Sequence, residues 1–313
     1  MDREIVVLVN PTSGRGRGAR LADPVTERLR EAGLNARWEA GRDAAESVDL
    51  ARRAVARGVE GLVIIGGDGM IHLALDAVAE TDTPLAVIPA GTGNDLARSL
   101  GIPVRDPLAA ADIVVAGHTR SQDLGRVVRV DAEPADDASH PAARHSASGW
   151  FATVLCAGFD SRVAERVNRM TWPHGRLRYD LATIAELGAF RPQHFGLEFD
   201  GEAENIDALL VAAGVTNSYG GGLRICEGAD PTDGLIDITV VGAVPRRDLV
   251  RVFPKLAKGT HVGHPAVTVY RAKRLSMASA DLVSFADGER MGPLPVTVEC
   301  VPNALTVFAP PPR

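Results

Sequence analysis

The sequence predicts an α/β domain built on a parallel sheet, followed by a β-sandwich domain. Three observations predict this. The first ~120 residues alternate short apolar runs with helical stretches, as parallel strands with crossover helices do. Strand patterns dominate the remainder. The length of 313 residues suits two domains, each able to bury its own core.

Each element follows from local pattern. Residues 5–9 are a short, wholly apolar run and read as a buried strand. A loop at 10–18 follows, then a helix to about residue 32, in which Pro24 either starts the helix after Asp23 or kinks it. Gly33 ends it. Residues 35–39 form a second strand and 44–57 an amphipathic helix ended by Gly58. Residues 62–65 are a third strand, and Gly66-Gly67-Asp68-Gly69 leads into a helix over 70–79. Residues 85–88 are a fourth strand. It runs into Pro89-Ala90-Gly91-Thr92-Gly93-Asn94-Asp95 and a short helix stopping near Gly101-Ile102-Pro103. A helix at 107–116 completes the unit.

The polar stretch 126–148, with Pro134 and Pro141, reads as an exposed, mobile loop between strands. Strand patterns then recur at 150–156, 194–199, 208–215, 236–241, 266–270, 275–278 and 296–300. Helical patterns fall at 161–169, 177–188 and 246–258.

Composition excludes several functions. Thirty-four Lys and Arg face 40 Asp and Glu, a net charge of −6 that argues against a nucleic-acid binder. Aromatic residues make up only 4%, too few for a base-stacking platform. Three cysteines, with no CxxC, argue against a disulfide framework or zinc ribbon and fit a reducing cytosol. The N-terminus does not read as a signal peptide and no long apolar run follows, so membrane contact is expected to be peripheral.

The chemistry-bearing residues are three polar glycine loops at strand ends: Asn10-Pro11-Thr12-Ser13-Gly14, Gly66-Gly67-Asp68-Gly69 and Gly91-Thr92-Gly93-Asn94-Asp95. In a parallel sheet such loops meet beyond the carboxyl ends of the strands. Glycine lets backbone N–H groups approach a phosphate, and a following helix N-terminus favours negative charge. Asp68 and Asp95 on that rim are open to two readings, a nucleotide triphosphate with Mg²⁺ or simple helix N-caps. There is no GxxxxGK[ST] P-loop. Gly14-Arg15-Gly16-Arg17-Gly18 with Glu39 is a near-match to a dinucleotide fingerprint whose spacing is broken. His261 and His264 read as a surface loop, Cys156 and Cys226 as core, and His72 as either a ligand contact or a packed or solvated side chain.

Taken in order, NPTSG, GGDG, PAGTGND and the late Asp287-Gly288-Glu289 resemble the diacylglycerol kinase catalytic family, the bacterial soluble lipid kinases related to sphingosine kinases. GFDSRVAERV at 158–167 and PTDGLIDI at 231–238 resemble that family's second domain. The resemblance implies an NAD kinase/diacylglycerol kinase-like fold. Residues 1–122, joined by a returning strand within 302–313, would form the ATP-binding domain, and 123–301 the β-sandwich lipid domain. It implies ATP- and Mg²⁺-dependent phosphorylation of a lipid hydroxyl, diacylglycerol to phosphatidic acid foremost. ATP contacts carry over to Asn10, Pro11, Thr12, Ser13 and Gly14, to Gly67, Asp68, Gly69, Met70, Ile71, His72 and Leu73, and to Thr92.

The catalytic set carries over to Asp68 and to Asp287 or Glu289, one of which is the general base. A Mg²⁺ site in the second domain carries over to Asp230, Asp233 and the carbonyl of Leu235. An aspartate–Mg²⁺–water network would include Asp68, Asp95 and Asp123, with Arg15 where relatives often have Lys. The chain departs from the family at Met70, His72 and Leu73, which replace Thr, Asn and Glu, and also at Gly41 and Leu96. Rival readings are an NAD kinase and a nucleotide- or lipid-binding protein without turnover. Arg162, Arg166, Arg169, Arg176 and Arg178 with Trp172 are a candidate contact for anionic headgroups at the membrane surface, or a solvated helix face. Open strand edges could pair in a homodimer.

Overall fold

The computed structural model describes residues 4–129, 148–170, 182, 186, 191–243, 255 and 258–311. The chain forms two compact units, Met1–Leu124 with Gly220–Gly222 and Pro302–Arg313, and Gly125–Tyr219 with Leu223–Val301.

In the first unit β1 (Glu4–Val9) pairs in parallel with β2 (Asn35–Glu39) and β3 (Gly61–Gly66), and β3 pairs with β4 (Leu85–Pro89). The end of β15 (Val296–Phe308) adds a further parallel strand through Val307 and Leu85. The central strands β3 and β4 are buried at every position because helices cover them, whereas β2, at the edge, is largely open. The helices are α1 (Ser13–Glu31), α2 (Ala44–Ala56), α3 (Asp68–Val78), α4 (Asp95–Ser99) and α5 (Pro107–Ala116). Pro24 lies inside α1, and the break in that helix falls instead at Gly14, Arg15 and Gly16, all left-handed.

The second unit contains an antiparallel sheet with α6 (Phe159–Arg169) against it. Its strands are the end of β5 (Thr119–Arg129), β6 (Ser148–Phe151), β7 (Val154–Gly158), β8 (Gln193–Phe199), β9 (Glu202–Gly214), β10 (Ile236–Gly242), β11 (Val267–Ala272), β12 (Arg274–Ala278), β13 (Val283–Ala286), β14 (Glu289–Pro293) and the start of β15. The first part of β9 pairs with β8, and its later part with β7 and β10. Strand alternation buries both faces. Leu155, Ala157, Val211 and Ala213 join one core, while Val154, Cys156, Leu210 and Ala212 pack with Phe159, Val163 and Val167 of α6 in another.

Several sequence expectations are corrected. The strand read over 150–156 is two strands, because the N–H groups of Ala152 and Thr153 turn to the Asp287 carboxylate. The loop read from Arg126 begins as strand, since β5 continues to Arg129, and residues 130–147 lie outside the described residues. So do nearly all of 177–188 and 246–258. The two closing strands are one, β15. His261 is fully buried in a 3-10 turn, Thr260–Gly263, with Nε2 donating to the Ile225 carbonyl at 2.9 Å, so it is no surface histidine.

Candidate functional site

The parallel order of β1, β3 and β4 puts their following loops side by side. The backbone N–H of Asn10 donates to the Ile65 carbonyl at 3.1 Å, and Ala90 and Gly91 donate to the Gly66 carbonyl at 2.8 and 3.2 Å. The loops then approach so closely that only glycine fits. A Cβ on Gly14, whose φ is +56°, would lie 2.2 Å from the Ala90 carbonyl oxygen. A Cβ on Gly91 would lie 2.4 Å from the Cα of Gly67. The three loops foreseen from the sequence therefore converge within the first unit.

Their polar groups are arranged around backbone donors. Asn10 Oδ1 accepts the Thr12 N–H at 3.1 Å and its hydroxyl at 2.8 Å, fixing the first loop. Helices α2 and α5 are capped by Asp43 and Asp106. Helix α3 instead starts at Gly67 with no side-chain cap. The first-turn N–H groups of a helix have no intrahelical partner, and here no side chain of the cap residue fills that role, so this end is suited to an anion.

Asp68 is no cap of its own helix. Its two oxygens accept the N–H groups of Asn94 and Asp95, each at 2.8 Å, tying the second loop to the third. Asp95, buried, accepts Gly221 N–H at 2.9 Å and Gly222 N–H at 2.8 Å, which explains why Gly220–Gly222 groups with the first unit. Asp123 accepts the Asn303 N–H at 2.8 Å. Each of the three carboxylates is thus a backbone tether, and carboxylate oxygens of this kind are the donor type that a hydrated Mg²⁺ takes. No sequence pattern marks Gly220–Gly222, because the tether joins positions more than a hundred residues apart.

The remaining predicted nucleotide contacts divide by burial. Met70 and Ile71 are buried in the core, so only their backbone is offered to a ligand. His72 and Leu73 are half-buried, and Thr92, Pro11 and Thr12 are exposed.

Asp287, Glu289 and the Asp230–Leu235 loop belong to the second unit. Asp287 and Gly288 form a two-residue hairpin turn between β13 and β14, both with positive φ (+53° and +87°), as an Asp-Gly turn of this type requires. The Asp287 carboxylate accepts the Ala152 N–H at 2.8 Å, the Thr153 N–H at 2.9 Å and the Thr153 hydroxyl. Glu289, next along, is exposed, and its carboxylate makes no hydrogen bond or ion pair among the described residues.

In the loop, Asp230 accepts the Thr232 N–H at 3.0 Å and Asp233 accepts the Leu235 N–H at 3.0 Å, while Arg271 pairs with the second oxygen of Asp233. A cation at Asp230, Asp233 and the Leu235 carbonyl therefore competes with a guanidinium already there. Among the described residues no group of three or more His, Cys, Asp or Glu is placed to hold a metal ion. Nearby Asp237 is held above the usual carboxylate range, chiefly by burial and against the pull of Arg271. Burial pushes the Cys226 thiol up to about 12, so this cysteine is packing and no nucleophile.

The family model for the diacylglycerol kinase catalytic domain matches residues 4–127, and that for the YegS C-terminal NAD kinase β-sandwich-like domain matches 153–309. A diacylglycerol kinase of Mycobacterium tuberculosis is 43% identical over 308 residues, covering 98% of this chain and 95% of the relative. One of Bacillus subtilis is 28% identical, covering 92% and 90%. A crystal structure of a diacylglycerol kinase from Bacillus anthracis shares the fold, with a TM-score of 0.71 at 16% identity over 99% of this chain and 97% of that one. The chain belongs to the diacylglycerol kinase family, whose members are kinases transferring phosphate to a hydroxyl acceptor.

Proposed function

We propose that this chain is an ATP- and Mg²⁺-dependent lipid kinase. It moves the γ-phosphoryl group of ATP to the hydroxyl of diacylglycerol, giving phosphatidic acid and ADP, with the hydroxyl proton passing to a protein carboxylate. The observation that carries the reading is the convergence of the three loops at glycine-only distances beside the side-chain-free cap of α3. Residues 1–122 with 302–313 are assigned to nucleotide binding and 123–301 to the lipid.

Phosphoryl transfer asks a protein for positioning, charge neutralisation and a base. Backbone N–H groups around Gly14, Gly67, Gly69 and Gly91 hold phosphate oxygens, Thr12, His72 and Thr92 offer side chains at the rim, and Asp68 keeps two of the loops in register. Mg²⁺, when bound, neutralises β- and γ-phosphate oxygens, and Asp68, Asp95 and Asp123 are the carboxylates that would hold its hydration shell. Glu289 is the proposed base, since its carboxylate has no competing partner among the described residues. Asp287, committed to Ala152 and Thr153, positions the hairpin. A second Mg²⁺ at Asp230, Asp233 and the Leu235 carbonyl belongs to the same proposal, in competition with Arg271.

No described helix is long and apolar enough to cross a membrane. The proposed lipid contact is accordingly peripheral, through the basic face of α6, on a cytoplasmic protein. Trp172, Arg176 and Arg178 lie outside the described residues. Homodimerisation through an open strand edge, such as that of β11, completes the proposal.

The NAD kinase reading draws on the description of the second family model. One experiment separates the readings: ATP consumption with diacylglycerol in mixed vesicles, with NAD, or with neither. Diacylglycerol-stimulated turnover with phosphatidic acid as product supports the proposal. NAD-stimulated turnover supports the rival, and no turnover with either acceptor leaves a binding protein.

A further inference from the structure

Glu289, the proposed base, sits where packing does little to hold it. Strand β14 lies at the end of the sheet and pairs only with β13 among the described residues. Of its five residues only Gly292 is buried, and Glu289 and Arg290 are exposed. The β13–β14 register also shifts between Ser284 and Phe285. So short a ladder, irregular within its length, leaves the direction of the Glu289 side chain to the turn that precedes it.

That turn is fastened from outside. Its Asp287 carboxylate takes three donors from two adjoining residues. The Ala152 N–H reaches one oxygen at 2.8 Å, and the Thr153 N–H, at 2.9 Å, and the Thr153 hydroxyl reach the other. Any residue but proline supplies the two N–H groups. The hydroxyl is the one donor that a side chain encodes. Thr153 is buried, and its β-branched side chain restricts χ1, so the hydroxyl is held in one direction. Its carbonyl oxygen accepts the N–H groups of Val215, at 3.0 Å, and Thr216, at 3.3 Å, just past the end of β9. The N–H, hydroxyl and carbonyl of Thr153 are thereby all committed, two to the hairpin and one to the segment that follows β9.

We propose that Thr153 is a positioning residue for the reaction. Its hydroxyl fixes the Asp287 carboxylate and, through the two-residue turn, fixes where the Glu289 carboxylate points. A general base works only within hydrogen-bond reach of the proton it takes, and a misplacement of about 1 Å costs on the order of a hundredfold in rate. Glu289 is two residues from the fastened carboxylate, so a loosened turn acts on the base. The glycine loops belong to the other unit, and ATP binding should not follow. The inference rests on the reading of Glu289 as the base and deepens it by naming the side chain that aims it.

The test is a double-mutant cycle on the full chain, by steady-state kinetics with ATP and diacylglycerol in mixed vesicles. Thr153→Val keeps the shape and removes the hydroxyl. It should lower kcat about tenfold or more with the KM for ATP unchanged. Thr153→Ser keeps a hydroxyl and should retain most of the rate. In a Glu289→Gln background Thr153→Val should lower kcat no further, because no base remains to be aimed. Its melting temperature should fall by about 2–4 °C in both backgrounds alike, the cost of one buried hydrogen bond.

A kcat that falls by the same factor in both backgrounds would assign Thr153 to stability alone and overturn the inference, with Glu289 still the base. A valine variant of wild-type kcat, or a serine variant as slow as the valine one, would overturn it in the same way. A Glu289→Gln variant of wild-type kcat would overturn the reading of Glu289 and the inference with it, and a wild type without diacylglycerol-dependent turnover would remove both.

Discussion

Asp287 and Glu289 sit two residues apart with opposite chemical circumstances. The first is saturated by backbone and hydroxyl donors and the second is open to solvent, a distinction no sequence motif carries, because the donors to Asp287 come from Ala152 and Thr153, far away in the chain. Glu289→Gln should therefore lower kcat by roughly 10²–10⁴-fold with an unchanged melting curve, the loss expected of a missing general base. Asp287→Asn should instead cost stability, about 1–3 kcal/mol, because one of its acceptor oxygens becomes a donor facing donors. Steady-state kinetics and thermal melts on both variants check this.

His261 makes a separate residue-scale prediction. Burial holds its pKa below its ordinary value of 6.5, and its Nδ1 is buried without a hydrogen-bond partner among the described residues. The unfolded chain thus takes up this proton at higher pH than the folded one. The histidine's contribution to stability is fully present above 6.5 and is lost as pH falls through the lowered folded value. His261→Gln should flatten the acid limb of melting temperature against pH. A variant with the same slope as wild type would contradict the assignment.

At the scale of elements, the glycine loops were the most legible part of the chain. Short buried strands alternating with helices fix a parallel order, and a parallel order puts consecutive loops at one end. What the pattern did not carry was how close the loops come. Gly91→Ala forces a Cβ to 2.4 Å from the Gly67 Cα, backbone against backbone with no flexible side chain to yield. Calorimetric ATP titration should show affinity falling about tenfold or more as the cradle opens. The β13–β14 hairpin escaped the sequence reading for a physical reason. Its strands have four and five residues, and β14 carries Glu289 and Arg290 where alternation would want apolar side chains. The split between β6 and β7 was likewise hidden, being caused by a carboxylate more than a hundred residues away.

At the scale of the whole chain, two units with an α/β and a largely β character were readable from the change in periodicity. The contribution of Gly220–Gly222 to the first unit was not, because Asp95 creates it through two backbone N–H groups that leave no mark on composition. The second-unit acidic loop shows the limit of carrying a motif across a family. Asp230, Asp233 and Leu235 keep the spacing expected of a Mg²⁺ site, yet Arg271, on the adjoining strand β11, already pairs with Asp233. Wild-type melting should therefore respond weakly to chelation of divalent cations, and Arg271→Ala should acquire a clear Mg²⁺ dependence. Equal dependence in the two proteins would show that the guanidinium does not contest the site.

The central claim, that the glycine loops of the first unit hold the nucleotide phosphates, is tested most directly by a crystal structure of the full chain with Mg²⁺ and a non-hydrolysable ATP analogue. The account predicts phosphate oxygens at about 3 Å from backbone nitrogens of the loops that contain Gly14, Gly67 and Gly91. A fully occupied analogue bound elsewhere, with those nitrogens still facing solvent, would contradict it.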